Sequence, residues 1–163
     1  WEGMITAETP CNHQSFYGVA KNALRQLLQI ECQKSECTLQ WLRAFYILGD
    51  DLRSQSVFGK IARAALNGAT TFPCVTGEKR YDFIDVDVLA DQIATVLLHP
   101  EVSGIVHCCS GLAISLREKA ESFIQEHGYD ISLQYGVYPD RAYDSPAVWG
   151  DSTIIDSLMN EAS

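Results

Sequence analysis

Tyr17 and Lys21 stand four residues apart in the run Tyr17-Gly18-Val19-Ala20-Lys21, which continues into Asn22-Ala23-Leu24-Arg25-Gln26-Leu27-Leu28. Positions i and i+4 share one face of a helix. A phenol and an ammonium so placed can form a proton-transfer pair, because a nearby positive charge favours the phenolate. Such a phenol can give and take the proton of an alcohol or ketone while a hydride moves. The same spacing also suits a plain solvated helix face, so the flanks must separate the two readings. Upstream lie Glu8-Thr9-Pro10 and the polar stretch Cys11-Asn12-His13-Gln14-Ser15.

The elements that would position this pair alternate between helix and strand. Residues 17–33 read as a helix, with Ala20, Leu24, Leu27, Leu28 and Ile30 at helical spacing. Leu39 to Leu48 reads as one buried strand ended by Gly49-Asp50-Asp51. Val57 to Leu66 reads as a helix stopped by Asn67-Gly68. Short strands are expected at Thr71–Val75 and Tyr81–Val86. A helix from about Asp87 to Leu98 should stop at His99-Pro100. Gly104 to Cys109 reads as a strand, and Ser115 should cap a helix to His127, with Gly128 past its end. Ile131 to Tyr135 reads as a strand, residues 136–150 as a Pro- and aromatic-rich loop, and Ser152 to Asn160 as a last helix. This alternation predicts an α/β fold.

The 163 residues suffice for one compact domain. A net charge of −9 argues against nucleic acid or an anionic membrane as partner, since both favour a basic patch. No apolar run is long enough to span a bilayer. Cysteines stand at 11, 32, 37, 74, 108 and 109. Cys32 and Cys37 have no second pair at zinc-like spacing, and Cys108 and Cys109 fall in an apolar strand. Buried free thiols and a reducing cytoplasm are the reading, with no metal site. His13, His99, His107 and His127 are dispersed without ligand spacing.

Taken in order, the motifs resemble the extended short-chain dehydrogenase/reductase family, whose members include NAD-dependent nucleotide-sugar epimerases and dehydratases. Glu8-Thr9-Pro10, the short loop and Tyr17-Gly18-Val19-Ala20-Lys21 resemble its catalytic segment. Leu42 to Gly49 is similar to the strand and loop after the catalytic helix. Arg80-Tyr81-Asp82-Phe83-Ile84-Asp85-Val86-Asp87-Val88 resembles its Arg-Asp-Phe-Ile-His-Val-Asp-Asp run. Ile114 to Glu118 and Trp149-Gly150-Asp151-Ser152 are similar to its late helix start and terminal segment. No Gly-x-x-Gly-x-x-Gly turn is present, so the resemblance is to the C-terminal half of a member. It implies the later part of a Rossmann-type parallel sheet, from residues 1–50 and 81–110. A smaller α/β substrate-binding lobe would come from 51–80 and 111–163.

The resemblance also implies roles. Tyr17 would be the acid/base, and Lys21 would support it and hold the nicotinamide ribose of NAD or NADP. Phe45, Tyr46 and Ile47 would pass beside the nicotinamide. Arg141, counted back from Trp149-Gly150-Asp151, would grip the diphosphate of a nucleotide sugar, and Phe72 would pack its base. The family's second arginine falls at Tyr81, with Arg80 one residue early and thus on the opposite strand face unless a bulge restores it. Asp85 and Val88 also depart from the family pattern. The helix bearing Tyr17 would pair across a homodimer axis in a full-length member. A catalytically inactive nucleotide- or partner-binding module is the alternative that Tyr81, Asp85 and Val88 leave open.

Overall fold

The computed structural model describes residues 1–11, 15–35, 37–49, 52–141 and 144–161. His13 and the Asp50-Asp51 strand end lie outside these residues. The chain is α/β, as the alternation of patterns predicts. The helices are α1 (Phe16–Ser35), α2 (Val57–Leu66), α3 (Val86–Leu98), α4 (Leu116–Glu126) and α5 (Thr153–Glu161). Among the described residues no helix is long and apolar enough to cross a membrane.

Capping chemistry places the helix ends. Ser56 accepts from the Gly59 amide at 3.1 Å to begin α2, and Gly68 ends it at φ +81°, a conformation glycine adopts without strain. At α4 a reciprocal box joins Ser115 and Glu118, each side chain bonding the other's backbone amide. Phe58, Ile61 and Ala62 are the buried side of α2.

Among the described residues every strand pair but one is parallel. β1 (Gly3–Ile5) pairs with β10 (Ala147–Gly150), which pairs with β5 (Arg80–Tyr81). β5 then meets β8 (Ile114–Ser115) antiparallel. β2 (Gln40–Ala44) pairs with β7 (Gly104–Cys108), β3 (Tyr46–Leu48) with β6 (Phe83–Asp85), and β4 (Thr71–Pro73) with β9 (Ser132–Gln134).

The strand expected at Tyr81–Val86 is broken at Asp82 into β5 and β6, which pair with different strands, and two further expectations need correction. The single strand at 39–48 is two strands that change partner at Phe45. The Phe45 amide still donates to Cys108 O, at 3.3 Å, whereas the Tyr46 amide donates to Asp82 O, at 3.0 Å. Local pattern cannot show this, because the strand that lies alongside each half is decided by residues far away in sequence. Likewise the loop expected at 136–150 ends in β10, whose ladder is set by Gly3 and Arg80, far away in sequence.

The core has three centres. The largest gathers Leu48, Phe58, Ile61, Tyr81, Phe83 and Phe123, with edge-on ring contacts between Phe58 and both Phe83 and Phe123. A second joins Val96 of α3, Val106 of β7, and Ile155 and Leu158 of α5. A third joins Ile84, Leu89 and Cys108.

Between β5 and β6 sits Asp82, whose side chain is wholly buried. One oxygen accepts from the Ser110 amide (2.8 Å) and hydroxyl (2.7 Å). The other accepts from the Gly111 amide (3.0 Å) and the Gly150 amide (3.1 Å). Asp82→Asn should therefore turn an amide NH₂ against two N–H donors. Bonds to a charged acceptor contribute about 1.5–3 kcal/mol each, so urea unfolding should show a loss of about 3 kcal/mol with unchanged slope. A loss below about 0.5 kcal/mol would mean that this carboxylate does not hold the three segments.

Candidate active site

α1 begins where Ser15 Oγ accepts from the Gly18 amide at 3.0 Å. Its first turn presents Tyr17, 73% exposed, with Lys21 Nζ lying 5.8 Å from the phenol ring centroid. The pair is thus together on one helix face, and both side chains are open to solvent. No residue of α1 is buried. Cys11 ties the helix down: its thiol donates to Asn22 Oδ1 at 3.2 Å and receives the Arg43 guanidinium of β2 at 3.4 Å.

A separate cavity of about 490 Å³ opens among β3, the start of α2, β4, β5 and the chain after β9. Tyr46, Ile47, Phe72 and Arg141 all line it, so four of the residues singled out by resemblance meet in one place. Tyr17, Lys21, Phe45 and Arg80 do not line it. The Phe45 ring instead meets His107 edge-on at 5.5 Å. A Cβ at Gly150 would come within 2.7 Å of that ring and of Cys109 Sγ, so the packing there requires glycine.

Strand alternation explains Arg80. Tyr81, its neighbour, faces the cavity and is buried, leaving Arg80 on the far side. There Arg80 Nε donates to Ala113 O at 3.1 Å, and a terminal nitrogen lies 3.8 Å from Glu118. The ladder on both sides of β5 runs in register without a bulge, so nothing returns Arg80 to the cavity.

The cavity also contains groups that the sequence reading passed over. Lys60 enters from α2, Lys79 from the approach to β5, and Tyr138, Asp140 and Asp144 from the segment after β9. Three cations thus stand against two carboxylates. Neither Lys60 nor Arg141 makes an ion pair among the described residues. Alternation could have found Lys79, since it shares a strand face with Tyr81.

The segment after β9 is fastened along the cavity wall. The amides of Val137 and Tyr138 donate to Cys74 O at 3.0 and 3.2 Å. Thr76 Oγ1 donates to Asp140 at 2.6 Å, and the Tyr81 hydroxyl to Asp144 at 3.3 Å. Burial, then the Asp144 charge, push the Tyr81 phenol well above its ordinary value, so it remains a donor. Its ring lies 4.5 Å from that of Tyr46. Gly77, at φ +77°, lets the chain pass Arg117 and Tyr135, which a Cβ would approach to 3.0 and 3.2 Å.

All six cysteines are free thiols. Burial, then the Asp82 charge, push Cys109 up to about 12, so it is an inert packing group. Among the described residues no three His, Cys, Asp or Glu side chains cluster as a metal would need.

A mostly parallel α/β fold with a tyrosine-lysine pair on one helix and a largely apolar cavity with a few charged groups beside the sheet defines a Rossmann-type class. Residues 3–108 match the family model described as the NAD dependent epimerase/dehydratase family, and the chain belongs to that family. It is 46% identical over 149 residues to the dTDP-6-deoxy-L-talose 4-dehydrogenase (NAD(+)) of Aggregatibacter actinomycetemcomitans, covering 91% of this chain and 55% of that protein. It is 26% identical to UDP-arabinose 4-epimerase 1 of Arabidopsis thaliana, over 96% of this chain and 42% of that one. The chain thus spans about half the length of the curated relatives it matches. Among solved structures, UDP-N-acetylglucosamine 4-epimerase from Methanobrevibacter ruminantium M1 superposes with a TM-score of 0.75 at 21% identity, covering 93% of this chain and 51% of that chain. The UDP-glucose 4-epimerase of Thermus thermophilus, in complex with NAD, gives 0.71 at 19% identity, covering 98% and 54%. At such identities these structures speak for the fold alone.

His107 generates a pH prediction. Burial first, then the Arg43 charge, lower its pKa below the ordinary value, against the opposing pull of Asp151 and Glu8. Its Nε2 has no hydrogen-bond partner among the described residues. The folded chain therefore keeps this imidazole neutral while the unfolded chain protonates it near pH 6.5. This contribution to stability is full above about pH 6.5 and is lost as the pH falls below it. Urea midpoints measured from pH 8 to 5 should drop across that window, and His107→Asn should flatten the drop. An identical slope in the variant would remove His107 as its source.

Proposed function

We propose that this chain supplies the proton-transfer pair and the nucleotide-sugar cavity of an NAD- or NADP-dependent enzyme that oxidises or reduces a sugar carbon. The observation that carries the reading is the cavity itself. It sets an aromatic face, Phe72, and an unpaired guanidinium, Arg141, within one space of about 490 Å³. A base and a diphosphate call for that pairing of surfaces, and a planar guanidinium suits phosphate oxygens. The name of the 46% identical relative supports a dTDP-linked sugar, with oxidation at carbon 4, over the epimerase reading drawn from the more distant relatives.

Tyr17 and Lys21 fit the ribose end of a nicotinamide cofactor. Both are exposed on one helix turn, and their polar atoms make no ion pair among the described residues. A bound nicotinamide would accept or return the hydride. Tyr17 Oη takes the proton of the reacting sugar hydroxyl in one direction and gives it back in the other, and the Lys21 charge favours the phenolate meanwhile. Arg141 and Phe72 hold the nucleotide end. The wider assembly belongs to the same proposal. Residues 1–50 and 81–110 make the cofactor side and 51–80 and 111–163 the substrate side. The exposed Val19, Leu24, Leu27 and Ile30 of α1 are the surface for a homodimer contact.

Tyr17→Phe in the full-length protein should lower kcat by at least about 100-fold and leave KM within a few-fold, as for a group acting in the transition state. Turnover close to wild type would remove Tyr17 from the proton step. Arg141→Ala should weaken calorimetric binding of UDP or dTDP by roughly ten- to a hundred-fold, the size of a lost charge-assisted bond. Nucleotide binding with no turnover of any dTDP- or UDP-sugar would instead describe a binding module.

A further inference from the structure

The cavity cations differ in how they are held. Arg80 is turned away, bonded to Ala113 O and beside Glu118. Lys60 and Arg141 carry no ion pair among the described residues. Lys79 is different. Its ammonium donates to two backbone carbonyls, those of Arg141 and Asp144, which lie 62 and 65 residues further along the chain. The bond to Asp144 O is 2.8 Å. No carboxylate lies within ion-pair distance of Lys79 among the described residues.

We infer that Lys79 is a positioning residue, which fixes the backbone from which Arg141 reaches the diphosphate. The inference rests on the cavity reading above. One ammonium grips the chain at 141 and again at 144, so it sets both ends of the span that presents the guanidinium. The carboxylates nearby bond to hydroxyls and not to Lys79. Asp144 accepts the Tyr81 hydroxyl at 3.3 Å, and Asp140 accepts the Thr76 hydroxyl at 2.6 Å. An exposed arginine on an unfastened loop would have to order both its backbone and its long side chain on binding. Fastening the backbone beforehand lowers that cost. The tyrosine at position 81 is part of the same arrangement. Its phenol reaches the Asp144 carboxylate while Lys79 holds the Asp144 carbonyl, so the two grip one residue by different atoms. Lys79 thus acts on the ligand through Arg141 and not by touching phosphate.

A double-mutant cycle separates these roles. UDP and dTDP binding is measured by calorimetry on the full-length protein for wild type, Lys79→Met, Arg141→Ala and the pair. Lys79→Met should weaken binding about ten-fold. The double variant should bind within about two-fold of Arg141→Ala alone, because residues acting in one network do not add. Lys79→Arg, whose fork can also donate to two carbonyls, should bind within about three-fold of wild type. If Lys79→Met does not fold, Lys79→Gln takes its place in the cycle. Fully additive losses would overturn the inference and make Lys79 a direct phosphate ligand. Unchanged binding in the Lys79 variants, beside a clear loss in Arg141→Ala, would overturn it too while leaving the cavity reading intact. Binding by wild type with no loss in Arg141→Ala would remove the guanidinium from the site and the inference with it. No binding of either nucleotide by wild type would overturn the cavity reading itself and everything built on it.

Discussion

A single buried carboxylate organises this molecule. Asp82 sits where β5 gives way to β6, and its four acceptor bonds reach the turn after β7 and the end of β10. Its own carbonyl receives the Tyr46 amide that starts β3. The ends of three other strands, β7, β10 and β3, are therefore fixed against one residue. Burying such a charge is costly unless every lone pair finds a donor, and here both oxygens are doubly engaged. The neighbours follow from this. Gly150 must lack a side chain, because the strand end that donates to Asp82 is pressed against Cys109 and Phe45. Tyr81, one residue before Asp82, is thereby fixed facing the cavity and Arg80 away from it.

The division of labour among charged groups is the second theme. The cavity wall is held by hydroxyl-to-carboxylate and ammonium-to-carbonyl bonds, which leave Arg141 and Lys60 without ion pairs among the described residues. Elsewhere Arg117 is used up in packing. Arg117 lies 4.0 Å over the Tyr135 ring, reaches Glu78 at 3.0 Å, and donates to Thr76 O at 3.0 Å. A chain of net charge −9 thus holds two cations without ion pairs among the described residues, Lys60 and Arg141, in one cavity. That concentration matters more than the overall sign, because attraction acts within about 10 Å at ordinary ionic strength.

Much of the fold was legible in the sequence, and the reasons are physical. α2 and α4 carry apolar residues at helical spacing, a serine before the first turn and a glycine past the last, so both ends were readable. The α/β class and the family motifs were legible because they occur in order along nearly the whole chain. β1, β8 and β10 were not, since two to four residues show no period and are strands only because distant partners make them so. At the site, the opposite facing of Arg80 followed from alternation. Lys79 obeys the same rule but was missed, because its bonds go to carbonyls that sequence does not display. Lys60 gave no motif and was found only by the cavity that it lines.

The pairing pattern has a consequence for how the protein comes into being. Gly3 waits for Val148, Gln40 for Gly104, and Thr71 for Ser132. The fastenings of the cavity wall join residues 62 to 65 positions apart. Contacts of such separation form late and slowly, since loop closure must precede any gain from them. On a ribosome, Asp82 would lack its Gly150 partner until the 68 residues that separate the two have been made. The apolar strands Tyr46–Leu48 and Phe83–Asp85 must meanwhile stay apart from those of neighbouring nascent chains. Crowded synthesis is therefore a condition under which this architecture is exposed to aggregation.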